Sequence, residues 1–294
     1  MTPIASPAVV VAVAAVFWGL WWLPLRGLEA TGLGPAALNL WLYGIAAAVL
    51  LPVLWVRRGQ LRIGGLALMA AAGLFALAIV AWNGALQTGE VVRVTLLFYL
   101  APIWATVLGR LVLSEPVGVR RLLAVAFGLG GALVLLAEAW PPVPRALGDW
   151  LGLGAGLVFA GSATAARYGR VDGRALTALA FLLAVPVAGI ASAFGGEPTP
   201  WPSTGSVALI GAVSLLWLVP VTWALLWGAA RLDPGRLALL MLLEVVAAAA
   251  SAALLTDEPF GLREAAGCVL ILAAGALEAT GQAAPKTEPR RNTS

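Results

Sequence analysis

One acid, Glu244, stands well inside a long apolar stretch, RLALLMLLEVVAAAASAALL from Arg236 to Leu255. An ionised carboxylate at the centre of a lipid-embedded helix costs about 2.5–3.5 kcal/mol on insertion scales, so such a residue turns toward a cavity or a partner. Two roles fit it: a proton site or contact for a substrate amino group, or a hydrogen-bonded structural acid bracing one helix against the next. Five tryptophans, Trp18, Trp82, Trp104, Trp217 and Trp223, also fall deep in apolar runs, and a buried indole wants a partner for its N–H. Trp82 is followed by Asn83, Trp223 follows Thr222, and Trp104 comes five residues after Tyr99. These groups could line a cavity that stacks flat side chains and hydrogen-bonds a zwitterion, or each could simply pack against lipid or a neighbouring helix. Asn39, Ser162 and Thr164 are weaker polar candidates. Pro24, Pro102, Pro186 and Pro220 interrupt apolar runs, where a missing N–H bends a helix and makes either a hinge or a static kink.

Other chemistries are excluded by what is missing. There is no histidine, and Cys268 is the only cysteine. No intrachain disulfide or His/Cys metal cluster can form. The usual nucleophile–base pairs of an intramembrane hydrolase or transferase are absent as well, and Cys268 reads as a small core residue. Neither a metal nor a cofactor is expected, and the chain is read as a non-enzyme.

The elements that must position these residues are apolar almost throughout. Of 294 residues, 61% are hydrophobic and 11% charged, against about 25% charged in a soluble domain. Spans need about 20 largely apolar residues. Ten such runs are read at 8–25, 36–56, 64–86, 92–113, 117–138, 148–166, 174–194, 206–230, 236–256 and 260–280. The first lacks a positive leader segment and is taken as a span rather than a signal. The tail, 284–294, is polar and expected to be disordered. With the N-terminus inside, one face collects Arg57, Arg58, Arg62, Arg110, Arg120, Arg121, Arg167, Arg170, Arg174, Arg231, Arg236, Lys286, Arg290 and Arg291. The other face holds Arg26, Arg93, Arg145 and Arg263. This bias sets both termini in the cytoplasm. The basic total then speaks of topology and anionic lipid rather than nucleic acid. Trp55, Trp140, Trp150 and Trp201, at span ends, suit an interfacial belt.

The chain also repeats itself. Arg93–Leu136 lies without a gap on the stretch 143 residues later, with 11 of 44 positions identical. The informative matches are Arg93 with Arg236, Glu115-Pro116 with Glu258-Pro259, Gly118 with Gly261 and Arg120 with Arg263. Val16-Phe17-Trp18-Gly19 has a weaker echo in Val158-Phe159-Ala160-Gly161. Halves of five spans each, 1–144 and 145–283, place the second copy upside down, and inverted repeats hold their substrate sites near the midplane. Ser114 and Asp257 are read as N-caps of the helices on their C-terminal sides, with Glu115 and Glu258 favouring the helix dipole. Arg93, Arg110 and Arg236 read as snorkelling residues that could also form gate ion pairs.

The ten-span plan, the Phe-Trp-Gly motif of the first span and the Glu-Pro-plus-Gly turns resemble the drug/metabolite transporter superfamily, its EamA-type branch above all. Leu243-Glu244-Val245 resembles that branch's Leu-Glu-Pro signature, with Val245 in the proline's place. Leu100-Ala101-Pro102 keeps the proline and lacks the acid. Gly267 matches the glycine that usually comes after the acidic turn, and Ala124 departs from it. Phe98-Tyr99-Leu100-Ala101-Pro102 and the many tryptophans resemble YddG-type aromatic amino-acid exporters. The resemblance implies a basket-shaped bundle with a central cavity, exporting metabolites.

The expectation is therefore an all-α integral membrane protein: ten helices in two inverted five-helix repeats, in a bacterial inner membrane. It should export small neutral or zwitterionic metabolites, amino acids first, by alternating access. No lysine lies in any span, which ranks phosphorylated substrates lower. The first span carries no acid, which disfavours small-multidrug-type cation exchange. A lipid-associated scaffold would need no polar groups facing a central void. The expected partners are a small-molecule substrate and the lipid bilayer, with the chain working as a monomer.

Overall fold

Apolar segments in lipid must satisfy their backbone polar groups internally, and helices do so. The computed structural model describes residues 6–29, 31–89, 91–135, 143–195, 201–255 and 261–279, and among these it contains helices and no strand. The Asp257-Glu258-Pro259 turn, Trp140, Pro141-Pro142 and the tail lie outside the described residues. The helices are α1 (Pro7–Gly19), α2 (Trp22–Glu29), α3 (Pro35–Val56), α4 (Arg58–Thr88), α5 (Val91–Phe98), α6 (Ala101–Leu113) and α7 (Val119–Leu135). The remainder are α8 (Leu147–Gly169), α9 (Gly173–Gly195), α10 (Thr204–Val213), a π-helical turn Ser214–Leu218, α11 (Val219–Ala229), α12 (Pro234–Met241), α13 (Leu243–Leu255) and α14 (Leu262–Ala279).

Local chemistry explains where they begin. Ser6, Ser203 and Asp233 each accept a hydrogen bond from the backbone N–H three residues on, and Pro7 and Pro234 follow two of these caps. Asp149 turns back to accept from the N–H groups of Arg145 and Ala146 at the start of α8. The expected N-cap at Ser114 is corrected. Ser114 closes α6 in a left-handed conformation (φ 55°), and α7 starts only at Val119. Glu115 to Gly118 form a non-helical link, so Glu115 caps no helix and is free to meet other elements.

Six stretches among the described residues are long and apolar enough to cross a bilayer: Ala37–Val56, Arg58–Leu86, Arg93–Leu113, Gly173–Phe194, Thr204–Ala229 and Pro234–Leu255. A seventh is the pair Pro7–Gly19 and Trp22–Leu28, bent by 41°. Helices α7, α8 and α14 cover much of three further expected spans, and each carries charged residues in its first turns. Two expected boundaries shift. Helix α4 begins six residues before residue 64 and turns at Gly65, whose φ of 46° suits glycine. The run 8–25 is broken between Gly19 and Trp22.

Packing obeys one rule. Helix α7 packs on α14, α3 on α9, and α6 on α12; α8 lies along α5 and α6, as α1 lies along α12 and α13; α4 meets α8, as α1 meets α11. Exchanging the first expected span with the sixth, the second with the seventh, and so on, leaves this pattern unchanged. The α7–α14 seam depends on small residues. A Cβ on Gly131 would stand 2.6 Å from the Gly267 carbonyl oxygen, and one on Gly267 2.9 Å from that of Gly131. Gly128 faces Ala274 while Gly131 faces Ile271, and these pairs interchange under the 143-residue shift. Arg120 adds a hydrogen bond of 2.7 Å to the Leu277 carbonyl in the last turn of α14.

Gly131→Leu should lower the melting temperature in detergent, because overpacking a tight seam costs about 1–3 kcal/mol. Gly130→Leu, where a Cβ meets nothing within 4 Å, is the control and should melt like the parent. Equal melting of the two variants would mean the seam is not tight.

Candidate functional site

Two helices break at matching places. Helix α5 ends at Phe98 and α6 starts at Ala101; α12 ends at Met241 and α13 starts at Leu243. The 143-residue shift carries Tyr99 onto Leu242. Pro102 has no N–H for the Phe98 carbonyl, which gives the first break a local cause. Val245 stands at the equivalent place, so the second break has no proline to explain it. Both are crossed by tightened turns, Leu100 donating to the Leu97 carbonyl at 3.3 Å and Leu242 to the Leu239 carbonyl at 3.3 Å.

Glycines let neighbouring helices approach these breaks. A Cβ on Gly156 of α8 would stand 2.6 Å from the Phe98 carbonyl oxygen. One on Gly19, at the end of α1, would run into the carbonyl oxygen of Glu244. The glycine of the Phe-Trp-Gly motif is thus a close-approach residue. Beyond it, the Trp22 indole donates to Ser251 Oγ at 3.0 Å and ties α2 to α13.

Between the breaks lies a cavity of about 70 Å³, bounded by Trp18, Phe75, Ala78, Ile79, Trp82, Phe98, Phe159, Leu225, Met241 and Glu244. Phe98 and Met241 are repeat equivalents, and the walls come from both halves. Tyr99 donates its phenolic hydrogen to Glu244 Oε1 at 2.6 Å. Trp82 and Phe98 rings are 4.7 Å apart, and Phe98 and Phe159 6.0 Å. The volume has room for about two water molecules, so a metabolite needs the walls to part.

Of the expected site residues, Trp18, Trp82 and Glu244 meet at this cavity and Tyr99 joins them through its hydrogen bond. The others go elsewhere. Asn83 donates to Asn39 Oδ1 at 3.0 Å and to the Tyr43 hydroxyl. Ser162 donates to the Ala71 carbonyl at 2.7 Å, bracing α8 on α4. Trp104 packs against Ala105, Ala160 and Ala238. Trp217 stacks edge-on with Phe17 and donates to its carbonyl at 3.2 Å. Trp223 borders a different cleft. Pro24 comes after the α1–α2 bend, Pro102 and Pro220 sit in first turns just after a break or π-turn, and Pro186 lies inside the unbroken α9. Phe75, Ala78, Ile79, Phe98, Phe159, Leu225 and Met241 are wall residues not among the expected site residues. Phe75, Ile79 and Trp82 share a helical spacing, which is the one legible signal among them.

The arginine-rich end of the bundle is tied by ion pairs: Arg121 with Asp233 at 2.6 Å, Arg57 with Asp172 at 3.8 Å and Arg167 with Glu115 at 3.8 Å. Burial pushes the Glu115 carboxyl up to about 7, and the neighbouring Asp233 charge adds to it. Arg167 and Arg121 pull the other way without cancelling burial. A carboxyl held above its unfolded value binds its proton more tightly in the folded state. Stability from this group is therefore present below pH 4.5 and lost as pH rises to about 7. Glu115→Gln should flatten the fall in melting temperature between pH 5 and pH 8 (about the range in which this group titrates). An unchanged slope would assign the pH dependence to another group.

The family model described as the EamA-like transporter family matches the chain twice, over residues 5–137 and 146–277. One solved crystal structure of a protein matches with a TM-score of 0.73 and 19% identity, covering 94% of this chain and 98% of that one. It shares the fold. No curated protein matches. Two family matches covering most of the sequence, on a helical membrane bundle, establish that the chain belongs to the EamA-like transporter family.

Proposed function

We propose that the protein is a secondary exporter with ten spans in two inverted five-helix halves, both termini cytoplasmic, in a bacterial inner membrane. Its substrates are small neutral or zwitterionic metabolites, amino acids first and aromatic or other apolar ones among them. The observation that carries this reading is the cavity between the two broken spans, walled by both halves and holding one carboxylate on a tyrosine hydroxyl. Glu244 takes the substrate ammonium. Trp18, Trp82, Phe98 and Phe159 take a flat or apolar side chain. The first turn of α6, which begins at Ala101 three residues after Phe98, offers the positive end of a helix dipole to a carboxylate. No Lys or Arg borders the cavity among the described residues, which argues against phosphorylated substrates.

Alternating access draws support from an asymmetry between equivalent seams. Helices α4 and α8 touch along their length, through Ser162 on Ala71 and Gly169 against Ala67. Helices α1 and α11 meet tightly at Val11 and Gly228, whereas α2 is turned aside by the bend. Inverted halves that exchange these two arrangements open the cavity to opposite sides in turn.

The test is flux in proteoliposomes, with a panel of labelled amino acids and with or without a pH gradient. At least one neutral amino acid should move. Glu244→Gln should slow it by about tenfold or more, the equivalent of a charge-assisted hydrogen bond of about 1.5–3 kcal/mol. It should also abolish any response to the gradient. Failure of both aliphatic and aromatic amino acids would remove the substrate assignment, and an unaffected Glu244→Gln would remove the role of the carboxylate.

A further inference from the structure

A second cleft, of about 280 Å³, lies apart from the central cavity. It is bounded by Leu50 and Val53 of α3, Arg174 and Thr177 of α9, and Val219, Pro220 and Trp223 of α11. Apart from Arg174 its walls are almost wholly apolar: Thr177 turns its hydroxyl back to the Gly173 carbonyl at 2.8 Å.

The surroundings fix its depth. Trp55 at the end of α3 and Trp227 near the end of α11 carry Arg58 and Arg231 over their rings, at 4.9 and 4.2 Å. Paired Trp and Arg of this kind mark the level of lipid headgroups. From Trp55 back to Leu50 is about 7.5 Å, and from Trp227 back to Val219 about 12 Å, at 1.5 Å per residue. The cleft thus runs from the headgroup level into the hydrocarbon, on the arginine-rich side. Arg174 lines it, and next to the same ends of α3, α9 and α11 in the chain stand Arg57, Arg58 and Arg231 against one acid, Asp172, which pairs with Arg57 at 3.8 Å. Among the described residues Arg174 has no ion pair or hydrogen bond, and it stands exposed at the mouth.

An apolar slot at acyl depth, beneath a surplus of guanidinium groups at phosphate depth, matches one kind of molecule. We infer that this cleft is a binding site for a single anionic phospholipid: one acyl chain lies between α3, α9 and α11, and the headgroup phosphate sits on Arg174. Basic pockets between helices on the positively charged side are suited to such headgroups. The site is independent of the transport reading, since none of its residues borders the central cavity. An occupied cleft would hold the ends of α3, α9 and α11 together.

Native mass spectrometry and melting curves on the full chain in detergent test this directly. Titration uses phosphatidylglycerol, phosphatidylcholine of the same chains, and glycerol phosphate without chains. Phosphatidylglycerol should leave one retained adduct and raise the melting temperature above the effect of phosphatidylcholine. Glycerol phosphate should do neither. Arg174→Gln should weaken phosphatidylglycerol binding by about fivefold, as loss of one basic contact predicts, and leave phosphatidylcholine unchanged. Val219→Trp, which fills the cleft, should displace the retained lipid while the chain still melts cooperatively. Equal retention of the two lipids, full retention in Arg174→Gln, or a response to glycerol phosphate alone would each overturn the inference. The first would indicate general annular lipid, the last a simple anion site.

Discussion

In hydrocarbon an unpaired backbone carbonyl or N–H costs several kcal/mol, so a helix can be interrupted at membrane depth only where protein or a cavity surrounds the break. Two such interruptions, at Tyr99–Leu100 and at Leu242, govern this molecule. Each must be covered, and each is covered by the other half of the chain: α8 lays Gly156 on the Phe98 carbonyl, and α1 lays Gly19 on the Glu244 carbonyl. The cross-bracing of the two halves comes from that requirement. So does the cavity, since the side chains flanking the breaks no longer fill the space between them.

Two kinds of contact then divide the work. Glycine seams such as Gly131 on Gly267 bring backbones together and give rigid, dispersion-rich contacts. The arginine-rich end is joined instead by partly exposed ion pairs on Asp172 and Asp233, while Glu115 beside Arg167 weakens the fold as it ionises. The seams keep helices together as bodies, and the partly exposed pairs are the more easily separated contacts.

Much of the fold is legible in the residues alone, because hydrophobic runs, arginine placement and the echo of Arg93–Leu136 are properties of composition and order. The site is legible only in part. Glu244 stands out because a lone acid in lipid needs a reason, and Trp18 and Trp82 because deep indoles do. Phe159 and Met241 carry no such signal, since an apolar residue facing a void reads like one facing lipid. Asn83, Ser162 and Trp217 read as cavity residues, yet their polar atoms bond to α3, α4 and α1. A polar group in a span is as ready to bond a neighbouring carbonyl as a substrate. Ser114 reads as a cap for α7, whereas the left-handed turn there makes it the end of α6.

The proposed transport cycle requires that the void between the broken spans open to water. Adjacent positions on α4 test it: Ala78 borders the void and is 4% exposed, whereas Leu77 faces outward at 46%. With Cys268 replaced by serine, Ala78→Cys in proteoliposomes should react with a membrane-impermeant thiol reagent, and a transported substrate should slow the reaction. Leu77→Cys, facing lipid, should stay unreactive. If Ala78→Cys is as inert as Leu77→Cys from both sides of the membrane, the void never opens and the account fails.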